Sequence, residues 1–400
     1  MRHPFPRRWP MLKLTDVLIA RLPSPKKKKG VLILRMFGIG DALLFRAVLE
    51  KYVEALNVSL ADVTVLGSTA WGSTAELFFR DVKVELIDER RFARNFFYRL
   101  KIMRNLRRRG FKTAICGMRL RYPHVIESLM LVSGADTRIV AQARPNEKFD
   151  AMFAHYAPMM TKIIPLPESE KPRGKDGKPL PLMHEITHQL AFLSAVAGRP
   201  IKLNALPKLT MPHGSLRLAR VGERYAVLNI GASHAPRRWP LPSFFEVARH
   251  LLVQGWSVVF LGGPAEQEIK SQITNFAMHE GKALPGVRVI DAINEVDLAA
   301  AARLVESAAL VISNDSGLGH LAIMMQRPSV MILGGGHFGT FMPYPPDLAP
   351  ANLRVLYHAM PCYHCNWNCT MMPEGGVTFP CVAGVTAAQV WQAVTEIEPP

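Results

Sequence analysis

Short, almost wholly apolar runs alternate along this chain with longer stretches in which apolar positions recur every three or four residues. Period-free apolar runs read as strands covered on both faces, and the three-to-four spacing reads as amphipathic helix. The first predicted strand is Val31–Met36. It turns at Phe37-Gly38-Ile39-Gly40-Asp41 into a helix beginning Ala42-Leu43-Leu44. Further strands are predicted near 63–66, 83–87 and 112–116. A Pro/Gly/Lys tract from Pro165 to Pro181 reads as a mobile loop, followed by a helix over 184–197 and a turn-rich connector from Gly198 to Gly222. The alternation then restarts. Tyr225–Ile230 ends in Gly231-Ala232-Ser233, a helix covers Ser243 to Gln254, and Trp256–Leu261 ends in Gly262-Gly263-Pro264. Strands are predicted near 287–290, 309–313 and 329–333, and a last helix over Thr386–Thr395.

Such βαβ alternation implies parallel sheets with helices on both faces. The prediction is an α/β protein of two doubly wound, Rossmann-like domains facing a cleft. Their bounds are read as a basic N-terminal extension over 1–29, a first domain over 30–200, a linker over 201–222, a second domain over 223–385 and a C-terminal helix over 386–400. Ligands of open α/β sheets sit beyond the carboxyl ends of strands. Asp41, Ser233, Glu266 and Asp315 all fall at such ends.

The 400 residues are 49% apolar and 20% charged, an ordinary globular balance. No apolar run is long enough to span a bilayer. Pro4, Pro6, Arg7, Arg8 and Pro10 precede no apolar core of a signal peptide, so a cytoplasmic protein is expected. The formal net charge of +17 is uneven. Arg2, Arg7, Arg8, Lys13, Arg21 and Lys26 to Lys29 face a lone Asp16. A second block runs from Arg90 to Arg109, with Phe92, Phe96, Phe97, Tyr98, Leu100, Ile102, Met103 and Leu106 among the charges. Basic residues beside apolar ones suit a membrane surface, an acidic lipid or nucleic acid, whereas either block alone also suits a solvated helix face. Two blocks in one chain favour an anionic membrane surface. A nucleic-acid partner is not expected, because it would leave the strand-end motifs unused.

Those motifs carry the chemistry. Residues 308–320 run from an apolar strand through Asn314, Asp315, Ser316, Gly317 and Gly319 to His320. Small residues at a helix start let backbone N–H groups and the helix dipole hold a phosphate. Asp315 would repel phosphate but suits sugar hydroxyls, so a nucleotide-diphosphate sugar fits both; Asp315 or Ser316 could equally be a helix N-cap. Arg237 and Arg238, before Trp239-Pro240, suit a diphosphate. Glu266 suits ribose hydroxyls, or simply the first turn of a helix. Asp41 suits a general base, or an N-cap. The Gly38-Ile39-Gly40 turn lacks the third glycine of a dinucleotide fingerprint, Leu43 standing there instead. No Asp-x-Asp pair is present to hold a divalent metal. Of the five cysteines, Cys116 reads as core. Cys362, Cys365, Cys369 and Cys381 have metal-ligand character and could hold a structural Zn or Fe, or remain reduced thiols.

Val31 to Leu44, Asn229-Ile230-Gly231-Ala232-Ser233 with Arg237-Arg238-Trp239-Pro240, the segment Asn314 to Ala322, and Pro361-Cys362-x-x-Cys365 with Cys369 together resemble the glycosyltransferase family 9 heptosyltransferases, over roughly residues 31–395. The resemblance implies a GT-B fold. It also implies inverting transfer of heptose from ADP-heptose to a lipopolysaccharide-core or related cell-envelope acceptor, with no catalytic metal or cofactor, at the inner face of the inner membrane. It makes the first domain acceptor-binding, Asp41 the base, and Ser233, Arg237, Arg238, Glu266, Asp315, Ser316, Gly317 and His320 the donor site. The 1–29 and 165–181 segments and Phe45-Arg46 depart from the family's pattern. A non-catalytic nucleotide-sugar-binding protein, or a glycosyltransferase acting on a protein acceptor, is the alternative.

Overall fold

The computed structural model describes residues 9–167, 171–212, 224–283 and 286–397. They form two compact units, the first from 9–167 with 186–203 and the second from 171–185 with 204–397. Residues 1–8 of the expected extension, 168–170 of the expected loop, 213–222 of the expected linker and the last three residues of the expected final helix lie outside the described residues.

The first unit runs α1 (Trp9–Ala20), β1 (Val31–Leu34), α2 (Ile39–Leu56), β2 (Val63–Ser68), α3 (Thr74–Phe78), β3 (Lys83–Ile87), α4 (Glu89–Arg94), α5 (Phe96–Arg109), β4 (Thr113–Cys116), α6 (Ile126–Val132), β5 (Thr137–Ala141), α7 (Asp150–Tyr156), β6 (Lys162–Ile164) and α8 (Glu185–Ala197). Its six strands are all parallel, in the order β3-β2-β1-β4-β5-β6. The central strand β1 is buried along its whole length, as a wholly apolar run between two helical layers must be. Side chains begin several helices. Asp88 caps α4 and Asn95 caps α5, each accepting a backbone N–H.

The second unit runs β7 (Tyr225–Asn229), α9 (Leu241–Val253), β8 (Ser257–Leu261), α10 (Lys270–Ala283), β9 (Val289–Asp291), α11 (Leu298–Ser307), β10 (Leu310–Asn314), α12 (Gly317–Met324), β11 (Ser329–Leu333), β12 (Leu353–Tyr357), α13 (Pro380–Ala383) and α14 (Ala387–Ile397). Its strands are also all parallel, in the order β12-β11-β10-β7-β8-β9. Both units are therefore doubly wound and Rossmann-like. The strand order reverses between β1 and β4 in the first unit, and between β7 and β10 in the second. Those reversals are where the sheet splays to open a ligand crevice.

Three strands carried no sequence signal: β5, β6 and β12. Each lies towards a sheet edge and is short or mixes charged residues with apolar ones. Two segments also differ from expectation. Residues 9–29 are a packed part of the first unit, with α1 lying on α5 and α6. The Asp16 carboxylate, 1% exposed, pairs at 2.6 Å with the fully buried Arg99 and accepts from the Tyr156 hydroxyl at 2.6 Å. Residues 171–185 are not a free loop. Arg173 pairs with Pro179 in a bridge and donates to the Pro361 carbonyl at 2.9 Å, and the Leu182 N–H donates to the Phe338 carbonyl at 3.1 Å. Gly339, at φ +90°, permits this approach, because a Cβ there would overlap the backbone of Pro181 and Leu182. Among the described residues no helix is long and apolar enough to cross a membrane.

Candidate functional site

In the second unit the candidate donor residues gather at the reversal between β7 and β10. Strand β7 ends in Asn229, buried, whose Nδ2 donates to both Ser313 Oγ and Ser316 Oγ at 2.7 Å. Strand β10 ends in the fully buried Asn314. Its side chain accepts from the Trp239 N–H at 2.9 Å and donates to the Ile230 carbonyl at 2.9 Å. These two amides lace the strand ends together and leave the next residues little freedom. Ser316 then caps α12, accepting from the Gly319 N–H at 3.4 Å. The unpaired N–H groups of the first turn of α12 are thus presented at the carboxyl edge of the sheet. Gly319 serves packing, since a Cβ there would overlap the Met331 side chain.

Asp315 sits between the capped helix and the basic turn. Its Oδ2 lies 3.1 Å from Arg237 Nη2, and its Oδ1 lies 3.9 Å from His320 Nε2. Arg237 Nη1 also donates to Ser233 Oγ at 2.7 Å, and the Trp367 ring covers the guanidinium at 4.1 Å. His320 is buried against Tyr344, with Nδ1 2.9 Å from the phenol oxygen. Burial holds His320 below the ordinary histidine range, opposed by the Asp315 charge and assisted by Arg237. Burial, with Asp315, pushes the Tyr344 phenol up. A neutral His320 that accepts from Tyr344 at Nδ1 carries its proton on Nε2, towards Asp315.

Arg238 goes elsewhere. It pairs with Glu266 Oε1 at 2.9 Å and with Glu268 Oε1 at 2.9 Å, and donates to the Ala265 carbonyl at 2.7 Å. Glu266 is buried and accepts from the Gly263 N–H at 2.8 Å, inside its own turn, so both its oxygens are engaged by protein groups. The structure thus brings together Ser233, Arg237, Asp315, Ser316, Gly317 and His320. It sets Arg238 and Glu266 as a neighbouring pair that braces the Gly262-Gly263 turn. Tyr344 and Trp367 join the site with no local sequence signal. Asn229, Ser313 and Asn314 could have been found as polar residues ending otherwise apolar strands.

The segment bearing Trp367 packs on Gly334, Gly335 and Gly336 after β11. A Cβ on Gly335 would overlap the Tyr363 ring, and one on Gly336 the Trp367 ring. Cys362, Cys365, Cys369 and Cys381 line one small cavity there with Trp367 and Phe379. All four are free thiols. Burial, with the other thiols of the group, pushes Cys362 and Cys381 up, and the Gly335 N–H donates to Cys381 Sγ at 3.3 Å. Among the described residues no group of three or more His, Cys, Asp or Glu is arranged to hold a metal ion, so the expected Zn or Fe site finds no support in this arrangement. Aromatic rings packed on the glycine run tie the segment down.

In the first unit, the helix after β1 carries Asp41 in its first turn. The N-cap of α2 is Gly38, with no side-chain cap, so Asp41 is a first-turn residue and not the cap. The helix dipole favours its anion there. Arg35 Nη2, buried beneath, lies 3.9 Å from Asp41 Oδ1. Phe37 takes φ +82°, a left-handed conformation unfavourable for a side chain of its size. Its N–H donates to the Glu89 carboxylate, which Ser68 also contacts. Burial pushes Glu89 up to about 7, with the charges of Asp88 and Asp41 adding to the shift. Glu89 is therefore a second carboxyl at the Phe37 turn, close enough to feel the charge of Asp41. Sequence reading passed over it because it stands in the first turn of α4, where acidic residues are commonplace.

Residues 190–366 match the family described as glycosyltransferase family 9 (heptosyltransferase). Lipopolysaccharide heptosyltransferase 2 of Salmonella typhimurium is 30% identical over 121 residues, 30% of this chain and 31% of that protein. Lipopolysaccharide heptosyltransferase 1 of Pseudomonas aeruginosa is 26% identical over 156 residues, 38% of this chain and 39% of that protein. The aligned part thus spans roughly a third of the curated relatives' length. A glycosyl transferase family 9 structure from Veillonella parvula superposes with a TM-score of 0.65 at 18% identity, covering 92% of this chain and 97% of that one. The E. coli ADP-heptose lps heptosyltransferase II structure superposes with a TM-score of 0.61 at 15% identity, covering 92% and 98%. At these identities the superpositions establish the fold, which is that of the GT-B heptosyltransferase structures.

Proposed function

We propose that this chain, a heptosyltransferase-like relative of glycosyltransferase family 9, is an inverting glycosyltransferase that moves heptose from ADP-heptose onto a lipopolysaccharide-core acceptor at the cytoplasmic face of the inner membrane, needing no cofactor or catalytic metal. The observation that carries the reading is the junction of opposite chemistries after β10. The open start of α12 and the Arg237 guanidinium favour a diphosphate, while Asp315 beside them favours hydroxyls. A plain phosphate site would have no use for that carboxylate.

In this reading the donor diphosphate lies against the first turn of α12 and Arg237. Asp315 accepts hydrogen bonds from the sugar, and His320 with Tyr344 fixes the carboxylate's orientation. Asp41 takes the proton of the acceptor hydroxyl. That oxygen bonds to the anomeric carbon as the bond to the diphosphate breaks, and ADP leaves with the electron pair. The developing charge on the diphosphate is met by Arg237 and the helix start, a preorganised stabilisation that does the electrostatic work elsewhere assigned to a metal.

The test is incubation of the purified protein with ADP-heptose and heptose-deficient lipopolysaccharide core, with and without EDTA. The reading expects ADP release, a product heavier by one heptose, an anomeric configuration opposite to the donor's by NMR, and indifference to EDTA. Tight ADP-heptose binding with no transfer to glycolipid or protein acceptors would point instead to a nucleotide-sugar-binding protein.

A further inference from the structure

Helix α1 is apolar on both faces. Its inward face holds Leu12, Thr15, Asp16 and Ile19, with the charged Asp16 buried against Arg99 and Tyr156. Its outward face shows Met11, Leu14 (59% exposed) and Leu18 (53% exposed), and Leu22 continues the row beyond the helix. These residues follow the three-to-four spacing of a single helical stripe. An amphipathic helix that served only the core would not turn such an apolar row outward.

The neighbouring helix α5 carries a second exposed row. Asp16 meets Arg99, and the Leu22 carbonyl accepts from Arg107 Nε at 2.8 Å, so α1 and α5 run side by side in the same direction. The exposed row of α5 is Phe97 (81% exposed), Lys101, Arg104 and Arg108, again at helical spacing. Arg21, Lys26, Lys27 and Lys29 are exposed after α1. Across residues 9–29 and 94–109 the one acidic residue is Asp16, and it is buried and paired. The exposed charges of these two segments are thus all positive, and the acidic neighbours beside them are Asp136, paired with Lys28 at 2.6 Å, and Glu85, paired with Arg109.

We propose that this face, the outward stripe of α1 with the basic stripe of α5, docks the protein on an anionic lipid bilayer. Apolar side chains enter the headgroup–acyl boundary while lysine and arginine stems reach anionic headgroups. The charge pattern favours this occupant over the others. Two copies of this face would set positive charge against positive charge in a symmetric interface. Nucleic acid would leave Met11, Leu14 and Leu18 against phosphates. The inference rests on the glycolipid reading of the acceptor for its purpose, but not for its geometry.

The experiment is sedimentation of the full-length protein with phosphatidylcholine vesicles, with and without phosphatidylglycerol. It compares the wild type with Leu14→Glu/Leu18→Glu and with Lys101→Glu/Arg104→Glu/Arg108→Glu. The wild type is expected to bind anionic vesicles at least about tenfold more tightly than neutral ones, and each variant to lose at least about tenfold. The Tm and transfer to a soluble core oligosaccharide are expected to stay at wild-type values. Wild-type indifference to lipid charge, variants that bind like the wild type, or a wild-type oligomer dispersed by Leu14→Glu/Leu18→Glu would each overturn the proposal. Vesicle binding without any transferase activity would leave the docking face standing and remove the catalytic reading.

Discussion

Arg237 and Asp315, one from the turn after β7 and one from the turn after β10, meet as an ion pair at 3.1 Å under the Trp367 ring. Seventy-eight residues separate them in sequence, and neither is positioned by its own element alone. Ser233 holds the arginine from one side. The backbone N–H of Asp315, bonded to the Ile332 carbonyl, holds the aspartate from the other. The pair makes one locus that is cationic towards a phosphate and anionic towards a hydroxyl.

Removing either charge therefore has a different consequence. Arg237→Ala is expected to weaken ADP binding by about 10–100-fold, the range of one or two lost charge-assisted hydrogen bonds. Asp315→Asn is expected to leave ADP binding within a few-fold while lowering turnover of ADP-heptose. Calorimetric titration with ADP, beside steady-state kinetics with the full donor, separates the two.

Asp41→Asn is expected to keep the fold and donor affinity and to reduce kcat at least about 100-fold, the usual worth of a positioned base. Near-normal turnover would remove Asp41 from the chemistry.

Glu89 links the base region to pH. Its carboxyl is pushed up to about 7 in the fold, above its ordinary value. The folded state therefore binds this proton more tightly than the unfolded chain does. Below the unfolded value the group has no effect on stability. Between that value and about pH 7 the ionised form becomes progressively unfavourable in the fold, and the full penalty, on the order of 2–3 kcal/mol, applies above it. Glu89→Gln is expected to match the wild-type Tm near pH 4 and exceed it at pH 8. Parallel curves across that range would show that the carboxyl is not shifted.

The Asp16–Arg99 pair predicts a strong asymmetry. Asp16→Ala leaves a guanidinium fully buried without its partner and is expected to cost about 3–5 kcal/mol. Replacing both, as Asp16→Leu/Arg99→Met, removes the stranded charge and is expected to recover most of that loss. Thermal unfolding of the single and double variants decides it.

Gly336→Ala would drive a methyl group into the Trp367 ring. The expected result is a loss of about 1–3 kcal/mol and weaker ADP binding, because the ring over Arg237 is displaced. Gly319→Ala meets chiefly the flexible end of Met331, with Ser313 Oγ 3.1 Å away, and should be milder in both measurements.

Much of the architecture was readable from pattern. The apolar runs that became β1, β4, β7, β8, β10 and β11 are buried on both faces, and burial on both faces leaves its mark in sequence as unbroken apolarity. Strands β5, β6 and β12, at or next to a sheet edge, mix charged or polar residues with apolar ones and left no such mark. The turn from Asn314 to His320 was readable because a helix start that must expose N–H groups needs small residues. Which of two adjacent arginines would face Asp315 was not. Arg237 and Arg238 are chemically alike in sequence and are pulled apart by Asp315 on one side and Glu266 with Glu268 on the other. The cysteine spacing suggested a metal or reduced thiols, and it held no sign that the glycine run 334–336 would admit the Tyr363 and Trp367 rings so closely.

Local pattern alone determined the two α/β units, the strand ends as the places where chemistry gathers, and the excess of positive charge. Those are properties of periodicity and composition, which each stretch of chain carries by itself. Only tertiary packing decided that Trp367 roofs Arg237, that Glu89 meets the Phe37 N–H, and that α1 turns Asp16 inward and Leu14 and Leu18 outward. Each depends on an encounter between segments far apart in the chain, and local pattern holds no record of which distant surface will meet it.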